Sequence, residues 1–167
     1  ILDGIVFNRS EFPRADNDAQ RLALVYCSYG INTLLSKTNG DFAFTIIDKN
    51  MHSIYLARDR VGIKPLYYYR NNDSIAFASN PKVLLRVPGY NLELNRQYLA
   101  LYACSHYRYF DNDGETSPYE GIAQVPSGHY VAYSESQQAE CICYWKLQDH
   151  ANLEGSEAEL AEQYREL

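Results

Sequence analysis

The stretch from Tyr55 to Tyr69, "YLARDRVGIKPLYYY", sets Arg58, Asp59, Arg60, Gly62 and Lys64 at one crossing between two apolar runs. A plain hairpin needs only two turn residues. A longer charged connection, punctuated by glycine and proline, positions something. Gly62 permits a tight backbone and Pro65 fixes the start of the strand that follows. Arg58 and Asp59 are suited to locking such a loop by local hydrogen bonds, a role that requires an ordered Arg58 bonded to backbone carbonyls. Metal chemistry finds little support. Cys27, Cys104, Cys141 and Cys143 contain no C-x-x-C pair, and Cys141 and Cys143 share one strand face. They read as reduced, mostly buried small side chains. His52, His106, His129 and His150 are scattered, and Cys104 with His106 supplies two ligands where a site needs more, so no metal is expected.

The elements that must carry these residues follow from apolar spacing. Ile1 to Phe7 reads as a strand broken at Asp3-Gly4. From Asp18 to Tyr29, Leu22, Val25, Tyr26 and Tyr29 recur at intervals of three and four, giving a helix with Asp16, Asn17 or Asp18 as N-cap and Gly30 just past its end. "DFAFTIID", Asp41 to Asp48, is apolar on both faces and is expected between two layers. "SIYLARD", "PLYYY" and "SIAFAS" read as further strands. Short helices follow around Pro81–Leu85 and from Asn95 to Cys104, and "GHYVAYS" with "AECICYW" closes as a hairpin. Antiparallel strands buried on both faces, with few helices between them, predict an α+β fold of two stacked sheets covered outside by helices.

Bulk properties narrow the function. A hydrophobic share of 46% over 167 residues supports one packed domain, and no apolar run is long enough to cross a bilayer. A net charge of -6 offers no basic footprint, so neither nucleic acid nor an anionic membrane is an expected partner. The sixteen tyrosines have no basic groove beside them and are assigned to core and sheet surface rather than base stacking. With no signal peptide, a cytoplasmic setting is expected. Ile1 rather than Met stands first. At the other end Ser156 and Glu159 form a capping-box pattern ahead of Leu160, Tyr164 and Leu167 on one helical face. Both ends read as cut edges of a longer polypeptide: residues 1–150 as one domain, 151–167 as a linker and the start of a helix leading into another.

The order "NGDFAFTIID", "YLARDRVGIKPLYY", "IAFASNPKVLL", "YEGIAQVPSGHYV" and "CYW" resembles the N-terminal class II glutamine amidotransferase domain of the asparagine synthetase family, from about Ile1 to Trp145. The resemblance implies the N-terminal nucleophile hydrolase fold, an αββα sandwich of two antiparallel sheets between helical layers. In that family an N-terminal cysteine attacks the glutamine side-chain amide with its own α-amino group as base. The freed ammonia passes to a C-terminal ATP-dependent domain of the same chain. ATP and Mg²⁺ are thus expected in that further domain and no cofactor in this one. Glutamine and a second copy of the chain are candidate partners.

Residue by residue, the resemblance carries over unevenly. No cysteine stands at the start, and Cys27 falls mid-helix, so no catalytic nucleophile is assigned within these residues. Where the family has Asn-Gly-Glu for the oxyanion hole and the glutamine, this chain reads Asp3, Gly4, Ile5. Gly4 keeps a backbone N–H. Asp3, when ionised, only accepts hydrogen bonds, and Ile5 cannot pair with an ammonium group. Asp18 matches the aspartate that takes the substrate's α-amino group, and it equally suits a first-turn acid favoured by the helix dipole. Arg58, Asp59, Gly62 and Pro65 match the family's inter-strand connection and are expected to be structural. Asn80 and Pro81, where the family has glutamate and a helix former, suit a helix N-terminus. The reading is an amidotransferase-like domain degenerate as a glutaminase, serving as scaffold for an amide-forming ligase domain, as in β-lactam synthetases and lasso-peptide cyclases. Its alternative is a live glutaminase domain, with its cysteine upstream, supplying ammonia to an asparagine synthetase.

Overall fold

The computed structural model describes residues 1–71, 74–104, 114–134, 137–147 and 155–165. A five-stranded antiparallel sheet has the order β1-β2-β3-β7-β8, from β1 (Leu2–Val6), β2 (Gly40–Asp48), β3 (Ser53–Arg58), β7 (His129–Ser134) and β8 (Gln137–Cys143). A three-stranded sheet has the order β5-β4-β6, from β4 (Tyr67–Arg70), β5 (Ile75–Ala78) and β6 (Ile122–Gln124). Among the described residues the helices are α1 (Asp18–Lys37), α2 (Pro81–Leu84), α3 (Arg96–Cys104) and α4 (Glu157–Arg165), with a 3-10 turn at Arg9–Glu11.

The period of two along β2 builds both cores. Phe42 and Phe44 pack with Leu22, Val25, Leu34 and Leu35 of α1. The intervening Ala43 packs with Leu56, Leu66, Val125 and Val131 between the sheets. β3 does the same, with Ala57 in the first core and Leu56 in the second. The strand read as two-sided therefore lies between layers. α2 packs on β4 and β5 with Leu84 buried, whereas α3 buries none of its residues. The sandwich is α+β with two stacked antiparallel sheets.

Local signals explain the element ends. Asn17 is the N-cap of α1, its Oδ1 accepting from Gln20 N–H at 3.0 Å. Helical geometry breaks at Gly30 (φ 78°, ψ 178°) and resumes to Lys37, so the expected end is a kink between two helical halves. Asn80 caps α2 ahead of Pro81, and Asn95 Oδ1 accepts from Tyr98 N–H at 2.9 Å at the start of α3. The Ser156–Glu159 box forms before α4, with Ser156 N–H donating to Glu159 Oε2 at 2.8 Å; Leu167 lies outside the described residues.

Three further expectations change. β1 is one unbroken strand, because Gly4 permits close approach instead of a break: a Cβ there would lie 2.0 Å from Asp41 O. β6 was not foreseen. The cysteines are not mostly buried: Cys27, Cys104 and Cys143 are exposed and Cys141 is half-buried, all as free thiols. Cys27 falls off the helix face that carries Leu22 and Val25. Four of the sixteen tyrosines, Tyr26, Tyr55, Tyr130 and Tyr144, lie in or against the first core. Tyr26 and Tyr55 ring centroids are 5.7 Å apart, Tyr55 and Tyr130 are 6.4 Å apart, and Tyr26 Oη donates to Asp48 at 2.7 Å. Burial, then this bond, pushes the Tyr26 phenol far above its ordinary range.

Candidate functional site

The charged crossing is a closed polar knot. Arg58 ends β3 only 5% exposed; its Nε donates to Lys64 O at 2.8 Å, Nη2 to Gly62 O at 2.7 Å and Nη1 to Val125 O at 3.1 Å. With the Gln124 amide oxygen turned toward Arg58, that oxygen also accepts from Nη1 at 2.8 Å. Asp59 is fully buried. Its Oδ1 accepts from Val61 N–H at 3.1 Å and Ile63 N–H at 2.9 Å, and its Oδ2 from Lys64 N–H at 2.9 Å. Asp59 N–H donates to Phe42 O and its carbonyl accepts from Gly128 N–H, both at 2.8 Å, while Tyr144 Oη donates to Arg58 O at 2.7 Å. Gly62 (φ 74°) lies against the guanidinium, where a Cβ would meet Arg58 Nη2 at 3.0 Å. Pro65 stands two residues ahead of β4. The knot ties the end of β3 to residues flanking β4 and β6 in the other sheet. Arg58 and Asp59 turn their buried side-chain donors and acceptors onto these backbone groups, whereas Arg60, at the same crossing, keeps a buried Nε with no hydrogen-bond partner among the described residues.

The second feature is an open cleft of about 680 Å³ between β1 and the first turn of α1, lined by Leu2, Gly4, Arg9, Asp16, Asp18 and Arg21 among others. Asp18, on the first turn, accepts from Val6 N–H at 3.0 Å and from both Nε and Nη2 of Arg9 at 2.8 Å. The Arg9 hydrogen bonds, helped by the Val6 N–H and the Arg9 and Arg21 charges, hold the Asp18 carboxyl below its ordinary value against its partial desolvation. Arg21 is anchored by Pro13 O and Ala15 O at 3.1 and 2.9 Å, its Nε 3.7 Å from Asp18 Oδ1. Among the described residues, no thiol, hydroxyl or imidazole lines the cleft. Cys27 borders a separate, largely apolar groove of about 380 Å³ with Ala23 and Leu24.

The β1 register separates the four candidate residues. Leu2, Gly4 and Val6 lie opposite Phe44, Phe42 and Gly40, on the α1 side. Asp3 and Ile5 lie opposite Ala43 and Asp41, on the side of the second sheet. Gly4 and Asp18 therefore share the cleft, while Asp3 and Ile5 do not enter it. Asp3 instead meets Lys64 Nζ at 3.0 Å and accepts from Ser79 Oγ at 3.4 Å, and Ile5 is 42% exposed. Sequence reasoning missed Arg9, Arg21, Lys64 and Ser79 as partners of these acids. No periodicity links them, and only the unusual density of charge around Arg9–Arg21 marked part of the set. Among the described residues no three His, Cys, Asp or Glu side chains gather as metal ligands; His106 and His150 lie outside those residues. No helix among them is long and apolar enough to cross a membrane.

Comparison with known proteins identifies the family of this domain. A family model described as a glutamine amidotransferase domain matches residues 7–145. The whole chain is 28% identical to asparagine synthetase [glutamine-hydrolyzing] 2 of Bacillus subtilis, of which it covers 24%. Over 52% of its length it is 42% identical to asparagine synthetase [glutamine-hydrolyzing] 1 of the same organism, covering 13% of that protein. The amidase chry2 of Gibberella zeae is 30% identical over 80% of the chain and 18% of that relative. The chain thus spans about a quarter or less of the length of these curated relatives. Glutamine phosphoribosylpyrophosphate amidotransferase of B. subtilis superposes over 87% of this chain and 28% of its own, with a TM-score of 0.58 at 15% identity, which shows a shared N-terminal nucleophile hydrolase fold. With the motif order, the two-sheet sandwich and the family match in agreement, the chain belongs to the glutamine amidotransferase domain family, as the asparagine synthetases carry it.

Proposed function

We propose that this domain has given up glutamine hydrolysis and serves as the scaffold of a longer polypeptide whose ATP- and Mg²⁺-dependent domain forms an amide from an amine other than glutamine-derived ammonia. The observation that carries the reading is Asp3. The oxyanion of an acyl-transfer intermediate needs donors aimed at it, and loss of one costs roughly 10²–10³ in rate. Asp3 is an acceptor where the family has a donor. It lies on the β1 face away from the cleft and is held by Lys64 and Ser79. Ile5, beside it, offers an ammonium group nothing.

The test uses the full-length parent protein. Glutamate release from glutamine and AMP release with candidate carboxylic acids are measured together. The scaffold reading expects AMP release without glutamine and no glutamate above a no-enzyme control. Glutamate release at a rate matching AMP release overturns it. That result would support the second reading, a glutaminase whose nucleophile comes from residues outside this sequence and feeds an asparagine synthetase. Gly4 and Asp18 sharing one cleft favour that second reading.

A further inference from the structure

Among the described residues, α3 and α4 bury none of their side chains, and only one of the two is built for water. α4 carries Glu157, Glu159, Glu162 and Arg165, the composition of a solvated helix. α3 carries Arg96 alone, and from Tyr98 to Cys104 no side chain is charged. Yet Leu99, Leu101 and Tyr102 are 38, 45 and 56% exposed, and Leu92 and Leu94, just ahead of the helix, are more than half exposed. Single exposed apolar residues are ordinary, whereas this stretch concentrates them in one short segment.

The helix is fixed at its start and little supported beyond it. Asn95 caps Tyr98 N–H, its own N–H donates to Pro118 O at 2.9 Å, and Leu94 bridges to Tyr119. Tyr98 is half-buried and stacks on Tyr102 with ring centroids 6.5 Å apart. Leu101 and Tyr102, three and four residues on from Tyr98, share its side of the helix, and Leu99 adjoins Tyr102 at the same spacing. Isolated helices shorter than about 12–15 residues are marginal in water, so nine residues need a covering surface. α3 is presented, not packed.

Size selects the cover. A free-standing interface takes about 20–30 residues and roughly 800 Å² from each side, more than a nine-residue helix and its flank supply. A second copy meeting this patch alone would not stay bound. A tethered partner needs less, because the link supplies an effective concentration in the millimolar range. The relatives carry such a length of chain: the match spans 24% of one asparagine synthetase and 13% of another. We infer that α3, with Leu92 and Leu94 ahead of it, is the docking face for the amide-forming domain of the same polypeptide, which meets it with an apolar, uncharged surface. The inference rests on the preceding reading only in taking this domain as part of a longer chain.

Amide hydrogen exchange of the full-length parent, followed by mass spectrometry, tests it. Peptides spanning α3 are expected to exchange at least about tenfold more slowly in the parent than in the 167-residue chain, at every protein concentration. Leu99→Glu combined with Leu101→Glu keeps helix propensity while charging the face. In the parent this pair is expected to abolish the protection of α3 and leave β2 and β3 as protected as before. Equal exchange in parent and chain overturns the inference. So does protection that fades on dilution, which assigns the face to a second copy, and so does protection that survives both glutamates. If the double variant fails to fold, the wild-type comparison and its dilution series decide. Glutamate release by the parent would sink the scaffold reading and leave α3 protected. An unprotected α3 beside glutamine-independent AMP release would do the reverse.

Discussion

The carboxylate of Asp59 is sealed from water, so the protein itself must meet every lone pair it uses. Three backbone N–H groups do so, all from the five residues that follow it. Asp59→Asn turns an amide N–H₂ toward one of those donors and is expected to cost about 2–3 kcal/mol, read as a shift in urea midpoint. Asp59→Ala strands three loop N–H groups beside the buried Arg58 and should cost more, about 3–5 kcal/mol. A loss below 1 kcal/mol for the alanine variant would mean that the loop holds itself without the knot. Asp18 behaves differently because its partner is half exposed. Its folded value is depressed, so its contribution is complete above its ordinary 3.8 and disappears as the pH falls through the lower, folded value. The stability gap between wild type and Asp18→Asn should therefore be flat at neutral pH, no larger than about 1 kcal/mol, and close below about pH 4. Urea midpoints from pH 2 to 7 check it, and a gap that widens on acidification would contradict the assignment.

At the scale of elements, two glycines with positive φ do opposite work. Gly30 adopts φ 78° and ψ 178°, a region nearly confined to glycine, yet a Cβ there meets nothing within 4 Å. Gly30→Ala should cost about 1–3 kcal/mol of backbone strain and leave the sheet intact. Gly4 (φ 140°) lies against fixed backbone, with Asp41 O at 2.0 Å and Phe42 Cα at 2.8 Å from the added carbon. Gly4→Ala is expected to lift β1 from β2, visible as lost amide-exchange protection from Leu2 to Val6 while β2 and β3 stay protected. Protection retained along β1 would show that the strands can slide apart enough to admit a methyl group. The same pair marks what was legible in the sequence. Apolar spacing located the first half of α1, β2 and β3, because those patterns record which face is buried. It did not reveal that Gly4 continues a strand, since an open turn and a close strand approach both ask for glycine. β6 is three residues long and exists through pairing with β4, so it carries no period of its own. The cleft was half legible: Asp18 and Gly4 were named, but Arg9 reaches Asp18 from a 3-10 turn and Lys64 reaches Asp3 across 61 positions, and such pairings are set by the assembled fold.

Across the whole molecule, β2 and β3 each contribute alternate residues to the helix–sheet core and to the inter-sheet core, so neither core can be lost while the other keeps its walls. Arg58 and Asp59 add a polar tie at the end of β3, between residues flanking both sheets. The expectation is one cooperative unfolding transition rather than a separate melting of the three-stranded sheet. Trp145, the single tryptophan, is well placed to test it. Its ring lies 5.9 Å from the Arg60 guanidinium and its backbone N–H donates to Gly128 O, so its fluorescence reports on the crossing while far-UV dichroism reports on the strands and helices together. Leu56→Ala empties a fully buried position between the sheets and should cost about 2–5 kcal/mol; Phe42→Ala removes a ring from the other core at about 3–5 kcal/mol. Both substitutions should move the fluorescence and dichroism midpoints by the same amount. If Leu56→Ala shifted the fluorescence midpoint alone, the two sheets would be separable units, and the alternation along β2 and β3 would not couple them.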